Sequence, residues 1–187
     1  MPTPASPRAN RGPAAAAENR RALMAAAREV YAEGGLNVPF SAVAKRAGVG
    51  QGSLYRHFPD RTTLAVAVFE ENVGDLEDYT SPPDRTIDDL LDRVVDQAVV
   101  STALIDLITA DLHDARVVPL GDRFAAVVSR LVGRERAAGR LGDHIEAEDV
   151  MMAIGMMATE IARADPPARP DVADRARALF RAAFAPR

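Results

Sequence analysis

Val43-Ala44-Lys45-Arg46-Ala47-Gly48-Val49-Gly50-Gln51-Gly52-Ser53-Leu54-Tyr55-Arg56-His57-Phe58 is the stretch on which the fold turns. Phe40, Val43, Ala44 and Ala47 recur at helical spacing, which predicts a short helix from about Pro39 to Ala47. Pro39 suits a helix start because a first-turn N–H would lack a partner anyway. Gly48 interrupts the rhythm, and Leu54 and Phe58 resume it on a helix predicted over Gln51–His57. Small residues lie where two such helices would cross, and the second helix offers a polar outer face. Gln51 and Ser53 are short enough to reach base edges, and glutamine can pair with adenine through two hydrogen bonds. Tyr55, Arg56 and His57 can donate to phosphate oxygens. By pattern alone, the pair is either a DNA-reading unit or a helical hairpin with a solvated face.

Upstream, Leu23, Ala26, Ala27, Val30 and Tyr31 predict a supporting helix from about Glu18 to Glu33, stopped by Gly34-Gly35. Three short helices of this kind form a helix-turn-helix with a brace. Downstream, Pro59-Asp60 ends the unit, and Asp60 is placed to cap a fourth helix. Together these residues resemble the DNA-binding domain of the tetracycline-repressor (TetR) family over about residues 20–64. The carriers are the glycine pair at 34–35, Val43-Ala44, Ala47-Gly48-Val49, the run Ser53-Leu54-Tyr55-Arg56-His57-Phe58, and Arg61 with Leu64. Past that point the likeness rests on length, helix count and the turn Arg140-Leu141-Gly142-Asp143.

The resemblance implies that Gln51, Gly52 and Ser53 face the major groove, Gly52 permitting close approach. It implies phosphate contacts for Lys45, Tyr55, His57 and Arg61. Arg46 is either a phosphate contact or a solvated charge, and Tyr55 either a phosphate contact or half core. Two departures stand out. Val38-Pro39 replaces the usual Thr-Thr, so Ser41 is the hydroxyl left to compensate. Gly50 opens the recognition helix in place of Ser or Thr, a weaker cap.

Charge distribution agrees with a DNA-binding head. Residues 1–64 hold nine basic and four acidic residues, and residues 65–187 hold 14 and 23, although the whole chain is at -4. A basic head on an acidic body fits a head that meets phosphate. There is no cysteine, which excludes disulfides and thiolate metal sites. No long uncharged apolar run suggests a membrane span, and the N-terminus lacks a signal-peptide pattern. The expected location is therefore the cytoplasm.

The chain divides into an arm at 1–17, rich in Pro and Ala, a helix-turn-helix domain at 18–60, and a helical body at 61–187. The body shows breaks at Ser81-Pro82-Pro83-Asp84, at Pro119 and Gly121, at Gly139, and at Asp165-Pro166-Pro167. Apolar stripes lie between them: Leu90 to Leu112, Phe124 to Val132, Val150 to Ile161, and Leu179 to Phe184. Thr86 with Asp89 reads as a capping box, and Asp171 as a cap for the last helix. No strand is expected, so the fold class is all-α.

The family resemblance implies a homodimer on a palindromic operator and an unidentified small-molecule effector within the body. The surplus apolar width of the helix near Met151, Ile154 and Met156, with Phe180 and Phe184 on the last helix, marks the expected dimer face. The methionines at 151, 152, 156 and 157 fit core, interface or an adaptable pocket. Asp106, Asp111, His113 and Asp114 fit a solvated helix end or a metal site, and their spacing is not diagnostic. No Ser-His-Asp set, phosphate loop or HExxH motif occurs, so no catalytic residue, metal or cofactor is assigned. The leading expectation is a repressor-type transcriptional regulator. An all-helical enzyme, or a scaffold that has lost DNA binding, stands as the alternative.

Overall fold

The computed structural model describes residues 13–34, 37–97 and 114–186. Among these the helices are α1 (Pro13–Gly34), α2 (Phe40–Arg46), α3 (Gln51–His57), α4 (Arg61–Thr80), α5 (residues 87–97), α6 (Val118–Ala137), α7 (Ala147–Arg163) and α8 (Arg169–Phe184). A 3-10 turn at Pro166–Ala168 precedes α8, and no strand occurs among the described residues. The all-α expectation holds.

Local chemistry explains most of the boundaries. The Asp60 carboxylate accepts the Thr63 amide at 2.7 Å and so caps α4 as expected. Thr86 and Asp89 form the expected reciprocal box at the start of α5, with the Thr86 amide donating to Asp89 Oδ2 at 2.8 Å and the Asp89 amide to Thr86 Oγ1 at 3.2 Å. Glu146 and Asp149 make a similar box at α7. At Gly139, φ is +66°, and the Arg140 amide returns to the Glu135 carbonyl at 2.9 Å, closing α6 in a Schellman turn.

Three boundaries differ from the sequence reading. α1 begins at Pro13, not near Glu18. Proline suits the first helical position, and the alanines that follow are the strongest helix formers, so residues 13–17 of the expected arm are helical. Pro119 and Gly121 lie inside the first turn of α6, where a missing N–H costs little. Asp171 sits in the first turn of α8 without capping it, because the chain enters from the 3-10 turn with Ala168 at the cap position. The expected cluster of Asp106, Asp111 and His113 lies outside the described residues.

Two cores form. The head core joins Leu23, Ala27 and Tyr31 of α1, Val43 and Ala44 of α2, Leu54 and Phe58 around α3, and Leu64 and Val68 of α4. The body core joins Leu90 and Leu91 of α5, Val128 and Leu131 of α6, Val150, Ile154, Met157 and Ile161 of α7, and Phe184 of α8. α4 belongs to both, since Leu76 at its far end enters the body core. Between them, Val66 and Val73 of α4 meet Val117 and Leu120 at the start of α6.

This packing corrects the expected dimer face. Ile154 and Phe184 are buried within the chain, and Met151 and Phe180 pack against the same core. Ile154 and Phe184 fill the body, as does Met157, while Met151 and Phe180 keep part of their surface open. Met156 does face outward, and so do Met152 and Leu179, with exposures of 56%, 61% and 64%. The methionines therefore split between core and surface.

Two glycines of α6 and its turn should respond oppositely to alanine. Gly133 is exposed in the helix interior and a Cβ there would meet nothing within 4 Å. Gly133→Ala should stabilise by about 0.5–1 kcal/mol. Gly139→Ala should destabilise by about 1 kcal/mol, because its left-handed conformation disfavours a Cβ. Urea midpoints of the two variants against the parent provide the check.

Candidate nucleic-acid interface

The turn between α2 and α3 is built by Gly48. Its φ is +65°, its amide donates to the Lys45 carbonyl at 3.2 Å, and the Val49 amide donates to the Ala44 carbonyl at 2.9 Å. This Schellman closure reverses the chain within three residues and sets the angle between the two helices. Val43 and Ala44 anchor α2, and Leu54 anchors α3, all essentially inaccessible to solvent. With those side chains inward, the remaining faces must point out. Gly50 caps α3 with no side-chain hydrogen bond, as its lack of a hydroxyl requires.

The outward set includes Lys45, Gln51, Gly52, Tyr55 and Arg56. A Cβ on Gly52 would meet nothing within 4 Å, so this part of α3 stands open to close approach. Tyr55 is 51% exposed, and its ring packs edge-on against Phe40 at a centroid distance of 5.6 Å. It is thus both packed and presented, which removes the choice between core and contact. Arg56, read from the sequence as a donor to phosphate oxygens, is exposed beside it. Ser41 is half-buried on α2.

Three expected contacts stand differently. Ser53 is half-buried, and its Oγ is shielded from solvent without a hydrogen-bond partner, so the hydroxyl is not displayed to a groove in this rotamer. His57 is half-buried and lines a cleft between head and body. Arg61 donates from Nη2 to the Val38 carbonyl at 2.8 Å, in a part-buried contact. It thereby ties the first turn of α4 to the turn that enters α2. Near it, burial pushes the Tyr31 hydroxyl above its ordinary pKa, and the charge of Arg61 partly opposes this.

Arg46 is resolved in favour of structure. It bridges from α2 to Glu29 at 2.9 Å and to Glu33 at 2.6 Å on α1. The hydrogen bond from Arg46 holds the Glu33 carboxyl below its usual range. These pairs are exposed, so each adds little, but they fix the brace against the turn.

The head meets the body through Arg116, which sequence reasoning missed. Its guanidinium reaches Asp60 at 3.0 and 3.1 Å, Thr63 Oγ1 at 3.1 Å, and Asp114. The Thr63 amide, with help from Arg116, holds the Asp60 carboxyl below its usual range. Asp114 is held down to about 2 by Arg116. Asp60 and Arg116 are too far apart in sequence for any local pattern to pair them.

Comparison with known proteins agrees with this geometry. Residues 23–68 match the family described as bacterial regulatory proteins, tetR family. The head of this chain is similar to that family. An HTH-type transcriptional regulator of Staphylococcus aureus (strain bovine RF122 / ET3-1) is 36% identical over 60 residues, which is 32% of this chain and 32% of that protein. The likeness thus spans about a third of the length of the curated relatives. Over most of the chain, a TetR transcriptional regulator from Streptomyces coelicolor superposes with a TM-score of 0.67 at 26% identity, covering 89% of this chain and 98% of its own. A TetR regulatory protein from Mycobacterium vanbaalenii gives 0.62 at 23% identity, over 92% and 98%, a likeness of fold alone. The body therefore carries the family's all-helical architecture along with the head. No helix among the described residues is long and apolar enough to cross a membrane.

Arg61→Gln separates two roles. Acting through the Val38 carbonyl, it should weaken binding to every duplex while leaving the log–log salt slope near that of the parent. Loss of a phosphate contact would instead lower that slope by roughly one unit. Anisotropy titrations of a labelled duplex at several salt concentrations distinguish them.

Proposed function

We propose that the protein is a transcriptional repressor that binds a palindromic operator as a homodimer and releases it when a small-molecule effector enters the body. The observation that carries this reading is the outward face of α3, with Gln51, Gly52, Tyr55 and Arg56 exposed on a helix pinned from behind by Leu54. Gln51 reads a base edge, Gly52 lets the helix approach, and Lys45, Tyr55 and Arg56 hold phosphates. Ser41 assists from α2, Ser53 contributes after its hydroxyl turns outward, and His57 stands at the edge of the surface. A single head has few reading groups, and helix-turn-helix proteins gain affinity by placing two heads about one turn, or multiples of it, apart.

The second head comes from a second copy. α7 and α8 pack against one another, and their outer faces carry Met152, Gly155, Met156 and Leu179 in solvent. Met152, Gly155, Met156 and Thr159 recur at helical spacing, so they form one stripe. A Cβ on Gly155 would meet nothing within 4 Å, which leaves room for close approach of a partner helix. Two such helix pairs make a four-helix bundle. Arg116 supplies a route from body to head, since a shift of the segment before α6 pulls on the cap of α4, just beyond the reading helix. An effector that favours one position of that segment would thereby change operator affinity.

Sequence selection from a random duplex pool tests the reading. The parent should enrich a two-fold symmetric site, and Gln51→Ala should alter the preferred bases at a cost of about 1–3 kcal/mol while keeping non-specific binding. An unchanged base preference would remove Gln51 from the reading set.

The assembly has its own check. Met152→Lys and Met156→Lys should each weaken the dimer while leaving helix content intact by circular dichroism, because both side chains lie outside the core. Sedimentation should show a dimeric parent at micromolar concentration and a rising monomer fraction in each variant. A monomeric parent would sink the dimer.

A further inference from the structure

Head and body border a cleft of about 430 Å³, of which the operator reading uses only His57 at its edge. Arg20 of α1, His57 and Phe58 at the end of α3, and Thr63, Val66, Ala67 and Glu70 of α4 form one side, with Arg116, Pro119, Leu120 and Arg123 on the other. Its apolar lining comes from Val66, Ala67, Pro119 and Leu120, with Phe58 almost wholly covered behind Arg20. Its cations differ in their commitments. Arg116 is held by Asp60 and Asp114, and Arg123 by Glu77. Arg20 has no carboxylate partner among the described residues. It donates to the weak acceptor Met24 Sδ at 3.0 Å and lies over the Phe58 ring, 5.3 Å from its centroid.

A half-buried guanidinium without an anion, beside an apolar floor, is matched by a ligand with a carboxylate at one end and hydrocarbon at the other. We propose that this junction cleft binds a small amphipathic carboxylate, with its apolar part on Val66, Pro119 and Leu120 and its carboxylate on Arg20. Glu70 at the exposed rim restricts the anionic end to the Arg20 side. The volume falls within the range of about 300–1,000 Å³ usual for small-molecule sites. Because its walls come from α1, α3 and α4 on one side and α6 on the other, the occupant bridges head and body. The site is independent of which operator the head reads.

Octanoate is the probe, with octanamide as its neutral counterpart, and the readout is the methyl spectrum of the full-length chain labelled at valine and leucine. Octanoate should shift the Val66 and Leu120 methyl signals saturably, and octanamide should bind at least about tenfold more weakly, the size of one charge-assisted hydrogen bond. Arg20→Gln should weaken octanoate by about tenfold and erase the preference for acid over amide. Unmoved Val66 and Leu120 signals, equal affinity for acid and amide, or an Arg20→Gln variant that binds octanoate like the parent would overturn the proposal. If Arg20→Gln fails to fold, the acid–amide comparison on the unaltered protein decides.

Discussion

α4 is the constraint on which the rest depends, because one helix serves two hydrophobic cores. Leu64 and Val68 close the head, and Leu76 enters the body. A helix of this length is stabilised in water mainly by what its faces bury, and here the two ends bury against different partners. The head therefore cannot rotate as a free unit. Any displacement of α4 repacks Val66 and Val73 against Val117 and Leu120, where the start of α6 meets it.

Polar ties reinforce that contact along the length of α4. At its start, Arg116 grips the capping carboxylate of Asp60. In its middle, Arg28 of α1 reaches Glu71 and the buried Asn72, and Arg123 of α6 pairs with Glu77. At its end, the buried Thr80 hydroxyl donates to the Leu76 carbonyl and accepts from Arg130. Arg134 then gathers the carbonyls of Thr80, Pro82 and Arg85, satisfying backbone that would otherwise leave the helix unpaired. Exposed ion pairs add little individually. Their position matters more, because three arginines of one helix, α6, hold the side and end of another.

The same architecture explains which surfaces remain available. Once Leu54 is inside, α3 must show Gln51, Gly52, Tyr55 and Arg56. Once Ile154, Met157 and Ile161 are inside, α7 must show Met152 and Met156. Geometry thus divides the methionine cluster by helical phase. Composition could not, since a methionine suits a core or an interface equally well. Similar reasoning applies to the arginines: Arg46 and Arg61 are spent on Glu29, Glu33 and Val38, whereas Lys45 and Arg56 stay in solvent.

Much of the head was legible in the chain itself. Gly48 between two apolar rhythms, Leu54 and Phe58, and Asp60 before Leu64 determine the helix-turn-helix and its exit, because each acts through neighbours a few residues away. The capping box of Thr86 and Asp89 was readable for the same reason. Periodicity also found the body helices among the described residues, while missing the start of α1 and the roles of Pro119 and Asp171, where several residues compete to begin a helix. Tertiary structure alone decided which side of a wide stripe is core, so that Ile154 and Phe184 fell inside and Leu179 outside. It alone brought Arg116 to Asp60, laid Arg20 over Phe58, and turned Arg61 onto Val38. Those outcomes depend on distances between residues remote in sequence, and a helical repeat specifies the phase of one helix but not the neighbour that its face will meet.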